Sequence, residues 1–105
     1  MCDNFNKLTP DETELLALLA EECGEVIQAV GKILRHGFDS NWNGGPTNRR
    51  SLEDEIGDVY LIAGMLCNAE FVNVSHIMQR VITKPEKLNK YLHHNSFTGD
   101  NHESA

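Results

Sequence analysis

Apolar residues recur along the first third of the chain at the spacing of a helix: Leu15, Leu18, Leu19, Val26, Ala29, Val30 and Ile33 return every three or four positions, which predicts one face turned toward a core. Thr9-Pro10-Asp11-Glu12 supplies the start, because Thr9 can cap, Pro10 suits the first turn and Glu12 can return the second bond of a capping box. Gly37 after His36 supplies the stop. From Phe38 to Arg50 the sequence FDSNWNGGPTNRR has no period and predicts a loop, one long enough to suggest a functional role. A second helix is expected from Ser51, with acids in its first turn, on the apolar positions Leu52, Ile56, Val59, Ile62, Ala63 and Leu66, as far as about Phe71 or Val72. After a break at Asn73, a third segment from about Val74 to Leu92 carries Ile77, Met78, Val81 and Ile82 and contains Pro85. A kink or a split into two short helices is expected at Thr83-Lys84, since proline removes a donor and disfavours helix before it.

The pattern predicts an all-α fold: a helical bundle in a single domain over residues 1–94, with 95–105 as a flexible C-terminal tail. A chain of 105 residues buries a limited core by itself, so the bundle is expected to be completed by oligomerisation.

Composition narrows the function. With 16 acidic against 9 basic residues and a net charge of −7, the chain lacks the basic surface that holds a nucleic acid polymer. Cys2, Cys23 and Cys67 are odd in number and fit no paired spacing, which argues against a disulfide framework or thiolate zinc site and for a reducing cytoplasm. Neither an apolar leader nor a membrane-spanning stretch is read, so a cytoplasmic protein without a membrane partner is expected, in the host cytoplasm if phage-encoded. Cys23 is expected to be a small buried apolar residue, and Gly24, costly inside a helix, to mark close approach by another helix or by substrate.

The acidic residues carry the chemistry. Glu22 and Glu25 stand three apart and share a helix face. A solvated face is the plain reading of such a pair, but Glu22 falls in the same stripe as Leu15, Leu18, Leu19, Val26 and Ala29. Glu55 and Asp58 repeat the spacing, and Glu55 lines up with Leu52, Val59 and Ile62. Buried carboxylates side by side need a cation or protons to compensate. If the loop returns the second helix antiparallel to the first, four carboxylates converge on an oxygen-rich site that suits Mg²⁺, or Mn²⁺ as a substitute, better than zinc. A di-iron site would need Glu-x-x-His pairs, and no histidine of the chain has Glu three residues before it.

At EECGE, with Glu21, Glu22 and Glu25, and EIGD, with Glu55 and Asp58, the chain resembles the MazG-like all-alpha nucleoside triphosphate pyrophosphatases, whose signature is EExxE on one helix and ExxD on the next. The likeness extends over EECGEVIQAVGKILRHG, SLEDEIGDVYLIAGML and KLNKYLHH, from about Leu8 to His94, and is to the short, phage-type members. The resemblance implies that Glu22, Glu25, Glu55 and Asp58 ligate Mg²⁺, that Glu21 orients or deprotonates the attacking water, and that a (deoxy)nucleoside triphosphate is cleaved to the monophosphate and pyrophosphate, for nucleotide pool control. It also implies a homo-oligomer, dimer or tetramer.

Family members add basic residues for the phosphate tail. The candidates are Lys32 and Arg35, then Lys87 and Lys90, with Arg49 and Arg50 at the loop exit; each competes with a solvated surface charge. Trp42, the one tryptophan, is expected to bind substrate by stacking on the base or else to plug the loop. Asn41, Asn43 and Asn48 suit base edges or, more plainly, turns. His93-His94 sit on different faces and stay outside the site. The competing function is a non-enzymatic helical interaction module with a structural metal site, which has no use for Glu21.

Overall fold

The computed structural model describes residues 5–95, and the proposed tail, apart from Asn95, lies outside them. The described residues form three helices, α1 Pro10–His36, α2 Asn48–Asn68 and α3 Val74–Leu88, and no strands. They divide into two compact units, one running to Phe71 and one from Val72.

In the first unit α1 and α2 pack together. α1 begins where the local chemistry says it should: the Thr9 hydroxyl accepts from the Glu12 N–H at 3.2 Å, and the Glu12 carboxylate accepts from the Thr9 N–H at 2.7 Å. Such a box stabilises a helix start by about 1 kcal/mol. The helix stops at Gly37, whose N–H donates to the Ile33 carbonyl and whose φ of 90° is a left-handed conformation open to glycine.

α2 starts three residues earlier than its apolar pattern indicates. Thr47, not Ser51, is the cap, its hydroxyl accepting from the Arg50 N–H at 3.2 Å, so the polar run Asn48-Arg49-Arg50 is already helical. α2 also ends early, at Asn68. Glu70 takes a left-handed φ of 63°, the Phe71 N–H donates back to the Leu66 carbonyl, and the Glu70 N–H donates to Cys67. This is a Schellman termination without the usual glycine.

The loop between the helices is held by main-chain and side-chain bonds. The Asn48 N–H donates to Ser40, the Arg49 N–H to Phe38, and Asn41 bridges Thr47. The Asn48 side-chain amide donates to the Gly37 carbonyl at 3.1 Å. The Arg49 guanidinium pairs with Asp39 and sits 4.8 Å from the centre of the Phe38 ring. At the tip, Asn43 and Gly44 have positive φ and the Gly45 N–H donates to the Trp42 carbonyl. A Cβ on Gly45 would lie 3.1 Å from that carbonyl oxygen, so the turn is built around glycine.

In the second unit, α3 is capped by the Asn73 side chain, which accepts from the His76 N–H. It runs unbroken through Thr83-Lys84 to Leu88 rather than splitting there or reaching Leu92. Pro85 lies in its last turn, where the missing donor removes a single bond. Among the described residues no helix is long and apolar enough to cross a membrane.

Candidate metal centre

On α1 the covered stripe consists of Leu15, Leu18, Leu19, Val26 and Ile33, all half-buried, and buried Ala29; on α2 Ile62 and Leu66 are buried. Glu22 and Glu25 lie in the first stripe and are drawn inward with it. Glu22 meets Asp58, and Glu25 meets Glu55. The pairing runs in opposite order along the two helices, which makes them antiparallel.

One carboxylate oxygen from each of Glu22, Glu25, Glu55 and Asp58 lies within 4.8 Å of the others. The three glutamates are half-buried and Asp58 is exposed. Burial pushes the Glu22 carboxyl above its ordinary value, and hydrogen bonding with Asp58 and repulsion from Glu25, Asp58 and Glu21 add to the shift. Glu55 is pushed up to about 7, first by burial and then by hydrogen bonding and repulsion with Glu25 and Asp58.

The residues fit a divalent cation. Glu22 Oε2 is buried and has no hydrogen-bond partner, a costly state for a carboxylate that a metal ligand bond removes. The donor set is all oxygen and anionic, which selects a hard ion.

The raised carboxyls fix the sign of a pH effect. A group whose folded value, about 7 for Glu55, exceeds its ordinary 4.5 holds more protons when folded, so its stabilising effect is complete below 4.5 and is lost as pH rises to about 7. Thermal melts in EDTA are expected to show Tm falling across that window, the fall shallower in Glu55→Gln and reversed by Mg²⁺ above pH 7. A metal-free slope unchanged by Glu55→Gln would contradict this account of the cluster.

Beside the acids is a polar recess of about 120 Å³ lined by Glu25, Gln28, Glu55, Lys32, Asn48 and Ser51. It adjoins a larger cleft of about 750 Å³, with which it shares Lys32, Asn48 and Ser51. Arg35, His36, Asn41, Trp42 and Pro46 also line the cleft. Gln28 and Ser51 join the lining beyond the residues expected from the sequence, where Ser51 is a cap alone. The signal for both was spacing, since Gln28 lies three after Glu25 and Ser51 four before Glu55.

The structure brings Lys32 and Arg35 to the cleft, whereas Arg49 pairs with Asp39 and Arg50 with Asp54. Lys87 and Lys90 belong to the second unit. Glu21 is exposed and stands outside the four-carboxylate group, although its charge acts on Glu22. Trp42 is no plug: 87% of its surface is exposed. Cys23 is exposed rather than buried: it flanks the covered stripe, four residues after Leu19 and three before Val26, and α2 does not cover it. Among the described residues nothing beyond the adjoining backbone of α1 comes within 4 Å of the position of a Gly24 Cβ, so no close approach by another helix accounts for the glycine.

A sequence profile of the MazG nucleotide pyrophosphohydrolase domain matches residues 11–93, most of the chain and both acidic motifs. No curated protein and no solved structure gave a significant match.

Proposed function

The chain belongs to the MazG nucleotide pyrophosphohydrolase family, and on that premise we propose that it hydrolyses (deoxy)nucleoside triphosphates to the monophosphate and pyrophosphate, serving nucleotide pool control in the cytoplasm. The observation that carries this reading is the convergence of four carboxylate oxygens within 4.8 Å next to a cleft bearing Lys32 and Arg35. Glu22, Glu25, Glu55 and Asp58 hold Mg²⁺, with Mn²⁺ as a substitute. Bound there, the cation supplies Lewis-acid neutralisation of the phosphate oxygens.

The chain's own residues do the rest. Lys32, at the junction of recess and cleft, offsets charge on the polyphosphate, and Arg35 extends that field one turn further. Lys87 and Lys90, in the second unit, are assigned to the phosphate tail on the family resemblance alone. Glu21, exposed and one residue from the ligand Glu22, takes the proton of the attacking water as the bridging P–O bond breaks. The domain, residues 1–94, works as a dimer or tetramer. Support comes from the small core, in which Ala29, Ile62 and Leu66 are the buried hydrophobic residues among those described, and from the exposure of Ile27, Leu34, Tyr60 and Leu61 on α1 and α2.

The test is pyrophosphate release from a panel of canonical and modified (d)NTPs with Mg²⁺ or EDTA. Release that requires the metal is expected. No release from any nucleotide would move the assignment to a helical interaction module with a structural metal site.

A further inference from the structure

We infer that the cleft between the last turns of α1 and the α1–α2 loop is the nucleoside subsite, with Trp42 as a stacking platform and the 5′-phosphates running past Lys32 to the four carboxylates. The inference deepens the proposed hydrolysis and rests on it, since it takes the acidic group as the phosphate end.

Size separates the two spaces. The recess of about 120 Å³ is the smaller and, Ala29 apart, is lined by charged and polar side chains, which suits a phosphate group. The cleft of about 750 Å³ lies within the range of small-ligand pockets, roughly 300–1,000 Å³. Lys32, Asn48 and Ser51 line both, so a ligand reaching from one to the other must pass them.

Charge sets the direction. The cations of the cleft, Lys32 and Arg35, both come from the last turns of α1. The loop wall offers Asn41, Trp42 and Pro46, which contribute no positive charge. A polyphosphate tail lying along that wall would lose water without gaining a counter-charge, whereas a nucleobase gains an aromatic face and hydrogen-bonding edges.

Trp42 is also held ready. A large aromatic left 87% exposed on a loop would ordinarily fold down onto apolar neighbours. Here the backbone beneath it is fixed by the Gly45-to-Trp42 bond at 2.9 Å, the Asn41–Thr47 bridge and the Asn48 bond to Gly37. Preorganisation of this kind lowers the ordering cost of binding.

Trp42 is the only tryptophan, so its emission reports on this cleft. Wild-type protein is titrated, with Mg²⁺ and with EDTA, against dAMP, dGMP, dCMP and dTMP, and separately against pyrophosphate and tripolyphosphate. At least one monophosphate is expected to quench or shift the emission, and the inorganic phosphates to leave it unchanged. A response to tripolyphosphate alone, or to none of the ligands, overturns the subsite.

In steady-state assays Trp42→Ala is expected to raise KM for the preferred triphosphate about tenfold or more, with a smaller effect on kcat, and Trp42→Phe to restore most of the loss. An unchanged KM overturns the inference. The two readings fail separately: turnover with unresponsive Trp42 removes the subsite and leaves hydrolysis standing, while quenching without turnover does the reverse.

Discussion

Glu55→Gln is expected to lower pyrophosphate release at saturating Mg²⁺ by about a thousandfold or more, because losing a metal ligand forfeits several kcal/mol of transition-state stabilisation and each 1.36 kcal/mol is tenfold. The amide keeps the shape of the carboxyl but removes one negative charge from a group whose oxygens lie within 4.8 Å of one another. Glu55 carries the repulsion of both Glu25 and Asp58. The same substitution should therefore leave Tm in EDTA above pH 7 unchanged or higher. Opposite signs in the two readouts separate loss of the site from loss of the fold. Turnover within tenfold of wild type would show that Glu55 is not a ligand on which the reaction depends.

Glu21→Gln should act differently. A general base contributes about 10²–10⁴-fold to rate, and that factor should disappear from kcat. The Mg²⁺-induced rise in Tm should survive, because Glu21 is exposed and outside the group of four. If the Mg²⁺ stabilisation vanishes as well, Glu21 is a ligand. If turnover persists, the proton goes elsewhere.

The acidic group was legible in the sequence for a physical reason. Glu22 occupies a position in an apolar stripe, where a carboxylate is anomalous, and Glu55 does the same on the second helix. α1 was legible at both ends because its signals are local: a capping box of adjacent residues and a glycine stop. α2 was misjudged at both ends. Two competent caps, Thr47 and Ser51, stand four apart with no apolar residue between them, so periodicity could not choose. Its stop rests on Glu70 in a left-handed conformation, for which sequence has no strong marker.

The cleft was the least legible part. Trp42 and Asn48 owe their positions to bonds that cross the loop, such as Asn48 to Gly37 and Arg49 to Asp39, and composition records only that the segment is a loop. Asn43 illustrates the limit from the other side. Its φ of 55° shows it serving the turn, the plain role for an asparagine in such a loop, while Asn41 and Asn48 line the cleft.

The antiparallel match of Glu22 with Asp58 and Glu25 with Glu55 also bears on how the hairpin chooses its alignment. An apolar seam of leucine, isoleucine, valine and alanine discriminates poorly between alignments that differ by one helical turn, about 5.4 Å, since methyl groups meet methyl groups either way. Sliding α2 by that distance would leave one acidic pair adjacent and set the other acids against Leu52 or Ile62. Only one alignment presents four carboxylates to a single cation. A cation held there would therefore serve as a vernier, penalising every offset that the oily part of the interface would tolerate.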